Sequence, residues 1–475
     1  MANPRRIYLL SSKKLNPETI AVTFAKTSRS PKPFDQIAAE LSDESSAKFH
    51  EKWVVGYGHA SVAEHAVLHI ALENVSRLAV ETIEGNRLAS YTEKSTRYQQ
   101  WQHDAFYVPD ELLDHPLREE YKKTCQMLFQ AYEKCIPRLL EWLTSQIGQQ
   151  MGEKNKAYQR RIQSAAVDNC RFLLPAASLA NVGMTINARA LEYAICKMLS
   201  SPLDEVRQIG DNLKDVGQQE LPTLIKYASC NAYLLSAREK LRRAGGALSL
   251  DDPDPDLRLI AWDEHGEDQI LAALLYRFTS GVSNSDCVNA VRGMTKCEKS
   301  ALVRDVMADR GKFDQPLREF EYAHMTWDML MDQGAFFEFK RHRMMTQTAQ
   351  PLTAEYGFAI PKAISASGCE ENYVSAMQYA ANTYRRMAEW NPDVARYVIP
   401  NGFNRRLLFS MNLREAFHFC RLRAAETAHF SIRRVALHIA EAIREIYPLF
   451  GDYLNVPLKP TSLEIADEYF SDLRR

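Results

Sequence analysis

Long apolar runs are missing from this sequence: no window approaches the ~18 consecutive apolar residues that a membrane-spanning helix needs, so none is expected. Cysteines are few and irregular, nine among 475 residues at positions 125, 135, 170, 196, 230, 287, 297, 369 and 420, with no Cys-x-x-Cys pair. That pattern argues against a disulfide framework and against a zinc site, and no metal is expected. An excess of either charge is missing as well, since 59 basic and 60 acidic side chains leave a net charge of -1. A broad surface for nucleic acid is therefore not expected, and any phosphate site has to be local. The opening, MANPRRIYLLSSKK, is basic, but its apolar run is too short for a secretory signal. A reducing, cytoplasmic setting is the expectation.

What is present is enough chain for two cores. At 475 residues, 46% of them hydrophobic, the sequence exceeds the ~100–200 residues of one ordinary domain. Residues 243–257 crowd glycine, proline and aspartate together and read as a linker. The expected division is 1–243, a linker at 244–257, and 258–475. Residues 6–10 and 257–262 both look like strands leading into helices. Further along, Arg171-Phe172-Leu173-Leu174-Pro175 is followed by Asn187-Ala188-Arg189, and Arg396-Tyr397-Val398-Ile399-Pro400 by Asn412-Leu413-Arg414, each asparagine 16 positions after its arginine. Matched residues at equal spacing imply a tandem duplication with divergence. Helical periodicity over 117–147 and 155–172 has no counterpart of equal length in the second half, so extra helices are expected in the first.

Three further stretches carry chemistry. Residues 336–343 read FFEFKRHR, which puts two guanidiniums and an imidazole at Arg341-His342-Arg343. Arginine presents a planar fork of donors matched to phosphate oxygens, although such a triplet also suits a solvated turn. Residues 56–65 read GYGHASVAEH, where His59 and Ser61 precede Glu64-His65 and could equally cap a helix. Residues 88–98 read LASYTEKSTRY. On an extended segment Glu93, Ser95 and Arg97 would share one face and could grip one ligand, or form a polar strand edge.

Together these strings resemble the flavin-dependent thymidylate synthases, in which a histidine and a small hydroxyl residue precede Glu-His, followed by Arg-His-Arg, Glu-x-Ser-x-Arg-Tyr, Arg-x3-Pro and Asn-x-Arg. The resemblance spans nearly the whole chain. It implies two tandem α/β domains of the α+β type, each a mostly antiparallel sheet packed with helices. It assigns Glu93, Ser95, Arg97, Arg171, Arg396 and Arg423 to a pyrimidine nucleotide, with Arg423 also catalytic as the charge beside the activated ring. It assigns His59, Ser61, Arg87, Asn187, Arg189, Arg341, His342, Arg343, Asn412 and Arg414 to FAD. The implied reaction carries a one-carbon unit from methylenetetrahydrofolate to C5 of dUMP, with NADPH reducing the flavin, and makes dTMP. Alternatives are a C5 methyl- or hydroxymethyltransferase on another pyrimidine nucleotide, and a flavin- or nucleotide-binding paralogue without turnover.

Each half departs from that pattern. The first has Gly85-Asn86-Arg87 in place of Arg-His-Arg, and Met198 where the second has Arg423. The second has Ala349, Pro351 and Thr353 where the first has Glu93, Ser95 and Arg97. If sites are shared between halves, these losses leave one complete set, expected to be Glu93, Ser95 and Arg97 with Arg396 and Arg423. The resemblance also implies a homodimer that reproduces a tetramer of domains.

Overall fold

Apolar and polar side chains alternate along residues 67–76 and 179–187, the pattern of strands with one face buried. A computed structural model describes residues 6, 8–28, 30–56, 60–97, 99–246, 248 and 257–475 and divides the chain into two packing units. The first comprises Met1–Lys94, Tyr107–Arg118 and Ser178–Leu250. Its sheet contains β1 (Val67–Ser76), β2 (Ala89–Glu93) and β3 (Leu179–Asn187), all antiparallel in the order β1-β3-β2. Leu68 and Leu72 of β1 and Val182, Met184 and Ile186 of β3 are buried, while Val67, His69 and Gly183 between them are exposed. The helices Arg77–Glu84, Ala188–Leu199 and Asp204–Gln218 add further buried side chains to this core. Gly210 lets the last two approach closely, since a Cβ there would lie 2.9 Å from Cβ of Met198. The strand expected at residues 6–10 is not formed among its described residues. Arg6 Nη2 lies 2.5 Å from Asp35 Oδ2 and Tyr8 Oη 3.2 Å from Asp35 Oδ1, so these side chains anchor the segment to a helix.

The second unit comprises Ser95–Phe106, Glu119–Ala177 and Asp251–Arg475. Here β4 (Leu257–Trp262), β5 (His324–Asp332), β6 (Thr346–Ala349) and β8 (Asn404–Asn412) form an antiparallel sheet in the order β4-β5-β8-β6, and β7 (Ile360–Pro361) pairs with β9 (Phe470–Asp472). The helices Gln333–Phe339, Leu413–Arg423 and Phe430–Ile446 bury Phe339, Phe419 and Val435 in a core that also holds Trp327 and Phe409. Both folds are mixed, with antiparallel sheets and helices, as expected of two tandem α/β domains.

Division by packing differs from division by repeat, and from the boundary expected at 243. The helices Arg118–Gln146 and Asn155–Cys170, anticipated from their periodicity, are first-half sequence, yet nearly all of their length belongs to the second unit. There Thr124 Oγ1 lies 2.9 Å from Oγ1 of Thr383 on the helix Glu370–Trp390. The two copies of Arg-x3-Pro pair with each other in this unit. Pro175 forms an antiparallel bridge with Pro400. Ala176 N donates to Ile399 O at 2.9 Å and Asn401 N to Leu174 O at 3.0 Å, and Ala177 N donates to Tyr397 O and Gly402 N to Phe172 O, both at 2.8 Å. Each bond has a repeat-related mate, so a local two-fold passes through the proline bridge.

Candidate functional site

In the second unit, Arg97 lies just beyond the strand that ends at Glu93. Its Nε and Nη2 donate to Asp168 at 3.0 and 2.9 Å, and Nη1 donates to Thr427 O at 3.2 Å. A fork of two charge-assisted bonds fixes the guanidinium in plane as well as in place. Ser95 Oγ accepts from Arg97 N at 3.1 Å and shapes the turn. Asp168 sits in the last turn of its helix, and its carbonyl accepts from Nε2 of His429 at 3.1 Å. His429 Nδ1 accepts from Ser431 N at 3.1 Å, so this ring caps the helix Phe430–Ile446 as a neutral imidazole. Burial and the charges of Arg171 and Arg97 hold its pKa well below the ordinary histidine value.

Arg171 opens the short 3-10 turn that follows Asp168, and its side chain is only 3% exposed. Nη1 lies 3.4 Å from Glu338 Oε1, whereas Nε and Nη2 have no hydrogen-bond partner among the described residues. That unsatisfied edge lies beside Gly334, where a Cβ would stand 3.3 Å from Nη2 and 3.5 Å from Nε. The other oxygen of Glu338 accepts from Arg423 Nη1 at 3.0 Å. Arg423, at the end of the helix Leu413–Arg423, also donates from Nε to His342 Nε2 at 3.0 Å. Because Nε2 accepts, the proton of His342 is on Nδ1, 3.4 Å from Glu415 Oε1. Burial lowers the His342 pKa, Glu415 raises it and Arg423 lowers it further. Burial also lowers the Arg423 pKa against the pull of Glu338, with Arg341 and Arg97 adding their repulsion. Buried Asp332 also faces Arg171, so Arg97, Arg171, Arg341 and Arg423 stand with Asp168, Asp332, Glu338 and Glu415, before half-buried Arg343 is counted.

The other expected residues stand elsewhere. Glu93 belongs to the first unit, where its Oε1 lies 2.8 Å from Arg77 Nη1 with side chains 1% and 2% exposed. Its carboxylate pairs there with Arg77, and the strand stops at Glu93, short of Ser95 and Arg97. Arg396 Nη2 pairs with Asp393 Oδ1 at 2.8 Å, the repeat-related counterpart of Asp168. Where Thr353 replaces Arg97, that aspartate holds its own arginine, and Arg171, not Arg396, stands with Arg423. Met198 is fully buried core. His59 lies outside the described residues. Ser61, in a 3-10 helix, and Arg87 are exposed in the first unit. Asn187 and Asn412 are helix N-caps, accepting from Ala190 N and Glu415 N at 2.9 Å each. Arg189 pairs with Glu64, and Arg414 Nη1 with Glu321 Oε1 at 2.8 Å. Sequence reasoning missed Asp168, Glu338, Glu415 and His429. The spacing shared by Asp168 with Arg171 and by Asp393 with Arg396 was the available signal for the first.

Of the residues expected to hold FAD, exposed Arg341 and half-buried Arg343 in the second unit offer charge suited to the diphosphate of a dinucleotide. Buried His342 is occupied by Arg423 and Glu415. The fit lies in the charge that Arg341 and Arg343 offer to the diphosphate. Among the described residues no cluster suits a metal ion, and no helix is long and apolar enough to cross a membrane.

Comparison with known proteins places these features in a lineage. The model of the thymidylate synthase complementing protein family matches residues 9–223 and again 258–449. A UPF0159 protein of Thermoplasma acidophilum is 28% identical over 90% of this chain and 93% of its own length. Another, from Chlamydia muridarum, is 27% identical over 87% of this chain and 82% of its own. A flavin-dependent thymidylate synthase of Clostridium tetani is 27% identical over 45% of this chain and 82% of its own length, so a whole enzyme of that kind corresponds to about half of this protein. Two matches of one family model, joined by two copies of one proline motif facing each other, make this chain a tandem member of the thymidylate synthase complementing protein family.

Proposed function

We propose that the chain is a flavin-dependent transferase that places a one-carbon unit on C5 of dUMP, at one nucleotide site assembled from both halves. The observation that carries this reading is Arg171: a buried guanidinium whose Nε and Nη2 are unsatisfied, in the same unit as Arg97 and Arg423. Such an edge matches two oxygens of a phosphate monoester, which carries about -1.5 to -2 charges near neutrality. Arg97, braced by Asp168, adds the second phosphate ligand, and Ser95 holds the turn that presents it. Arg423 is held by Glu338 and His342 and meets negative charge that develops on the pyrimidine as C5 is activated. Glu93 and Arg396 are left out of this site by their own ion pairs.

Bound FAD would supply the reducing equivalents, with Arg341 and Arg343 on its diphosphate. The balance is that C5 of dUMP loses its hydrogen as a proton and gains a methyl group, methylenetetrahydrofolate loses its methylene and becomes tetrahydrofolate, and NADPH provides a hydride, becoming NADP+, with one proton taken up net. Two chains would form a homodimer with four family domains. The test is turnover of dUMP with methylenetetrahydrofolate, NADPH and FAD. Formation of dTMP supports the reading; a 5-hydroxymethyl product keeps the site and changes the product; no product from a flavin-loaded protein that binds dUMP refutes the transferase.

A further inference from the structure

One carboxylate in the second unit serves two guanidiniums from different halves of the repeat. Glu338 lies on the helix Gln333–Phe339 and is buried, with one oxygen 3.4 Å from Arg171 Nη1 and the other 3.0 Å from Arg423 Nη1. Without that charge buried Arg171 would be left with the nearby carboxylate of Asp332, and half-buried Arg423 would lose its ion pair, at a cost that low dielectric raises. Arg423 is tied further through Nε to His342, which leans on Glu415. Arg171, Glu338, Arg423, His342 and Glu415 thus form a chain of polar contacts that reaches from first-half to second-half sequence inside one unit. We propose that Glu338 is a positioning residue, holding Arg171 and Arg423 side by side so that a single anionic ligand meets both. The proposal rests on the reading above only for the identity of that ligand.

A simpler possibility predicts the opposite result: a carboxylate that merely repels the ligand would improve binding when removed. The experiment is Glu338→Gln, with dUMP binding followed by calorimetry and the His342 ring followed by nitrogen NMR across pH. Positioning predicts dUMP affinity weaker by roughly ten- to a hundredfold. It also predicts that the His342 titration moves up toward the ordinary histidine range, as Arg423 loosens from Nε2. Glu338→Asp, which keeps the charge on a shorter arm that reaches one guanidinium, shifts both in the same direction by less, and serves if the glutamine variant does not fold. Tighter or unchanged dUMP binding together with an unmoved His342 overturns the proposal. If the unaltered protein binds no dUMP, the nucleotide reading fails, and the His342 titration alone decides whether Glu338 positions Arg423.

Discussion

Pro175 and Pro400, equivalent residues of the two halves, face each other across an antiparallel bridge, and the backbone bonds on either side repeat under the same local two-fold. The junction brings first-half sequence carrying Arg171 into the unit that holds Arg423. Its closeness makes it sensitive to added volume. A Cβ on Gly402 would lie 2.7 Å from both Met377 Cε and Tyr373 Oη, and Tyr373 is fully buried with its hydroxyl donating to Ala359 O at 2.7 Å. Gly402→Ala is expected to lower stability by about 1–3 kcal/mol in urea unfolding. An unchanged midpoint contradicts the tight junction.

Glu93 belongs to the strongest sequence match, yet it pairs with Arg77 out of contact with solvent. Breaking a buried ion pair by removing one member is strongly destabilising, so Glu93→Gln is expected to cost about 3–5 kcal/mol of stability. Thermal and urea unfolding read this without any ligand. A variant as stable as the parent would mean that Glu93 is free for another partner.

Arg171 and Arg396 occupy the same place in the repeat but are wired differently, the first to Glu338 and the second to Asp393. Arg171→Ala is expected to weaken dUMP binding roughly ten- to a hundredfold. Arg396→Ala and Thr353→Ala are expected to leave it nearly unchanged. Calorimetry on the three variants checks the ordering, and equal losses at Arg171 and Arg396 contradict it.

How much of this was legible in the sequence follows from the kind of interaction involved. The duplication and the long first-half helices are written in spacing and periodicity, which are local, whereas the antiparallel sheets were implied by the family resemblance. That Asp168 braces Arg97 and that Glu338 joins two arginines depend on contacts distant in sequence: Arg97 and Asp168 are 71 residues apart, Arg171 and Glu338 167 apart. Asn187 and Asn412, which the resemblance assigns to FAD, each close the first turn of a helix. Arg171 and Arg396 each follow an aspartate by three residues, so only the distant contact of Asp168 with Arg97 shows that Arg396 alone keeps its own aspartate.

His342 and His429 predict a loss of stability in acid. For both rings the folded pKa lies below the unfolded one, so protons favour the unfolded chain. Their contribution is complete above the ordinary histidine value of about 6.5 and declines as pH falls below it, by up to ~1.4 kcal/mol per pH unit for each ring. Urea midpoints between pH 7.5 and 5.5 are expected to fall, and His429→Asn, which can still accept from Ser431 N, is expected to flatten the slope. A midpoint independent of pH over that range contradicts the two neutral rings.

The central claim is that the chain carries one nucleotide site, made of Arg97 and Arg171 from the first half and Arg423 from the second. Calorimetric titration of the flavin-loaded protein with dUMP measures it most directly, because stoichiometry and affinity come from one experiment. The account predicts one dUMP per chain, and binding weakened roughly ten- to a hundredfold in Arg423→Ala. Two equivalent dUMP sites per chain, or an Arg423→Ala protein that binds as the parent does, would contradict it.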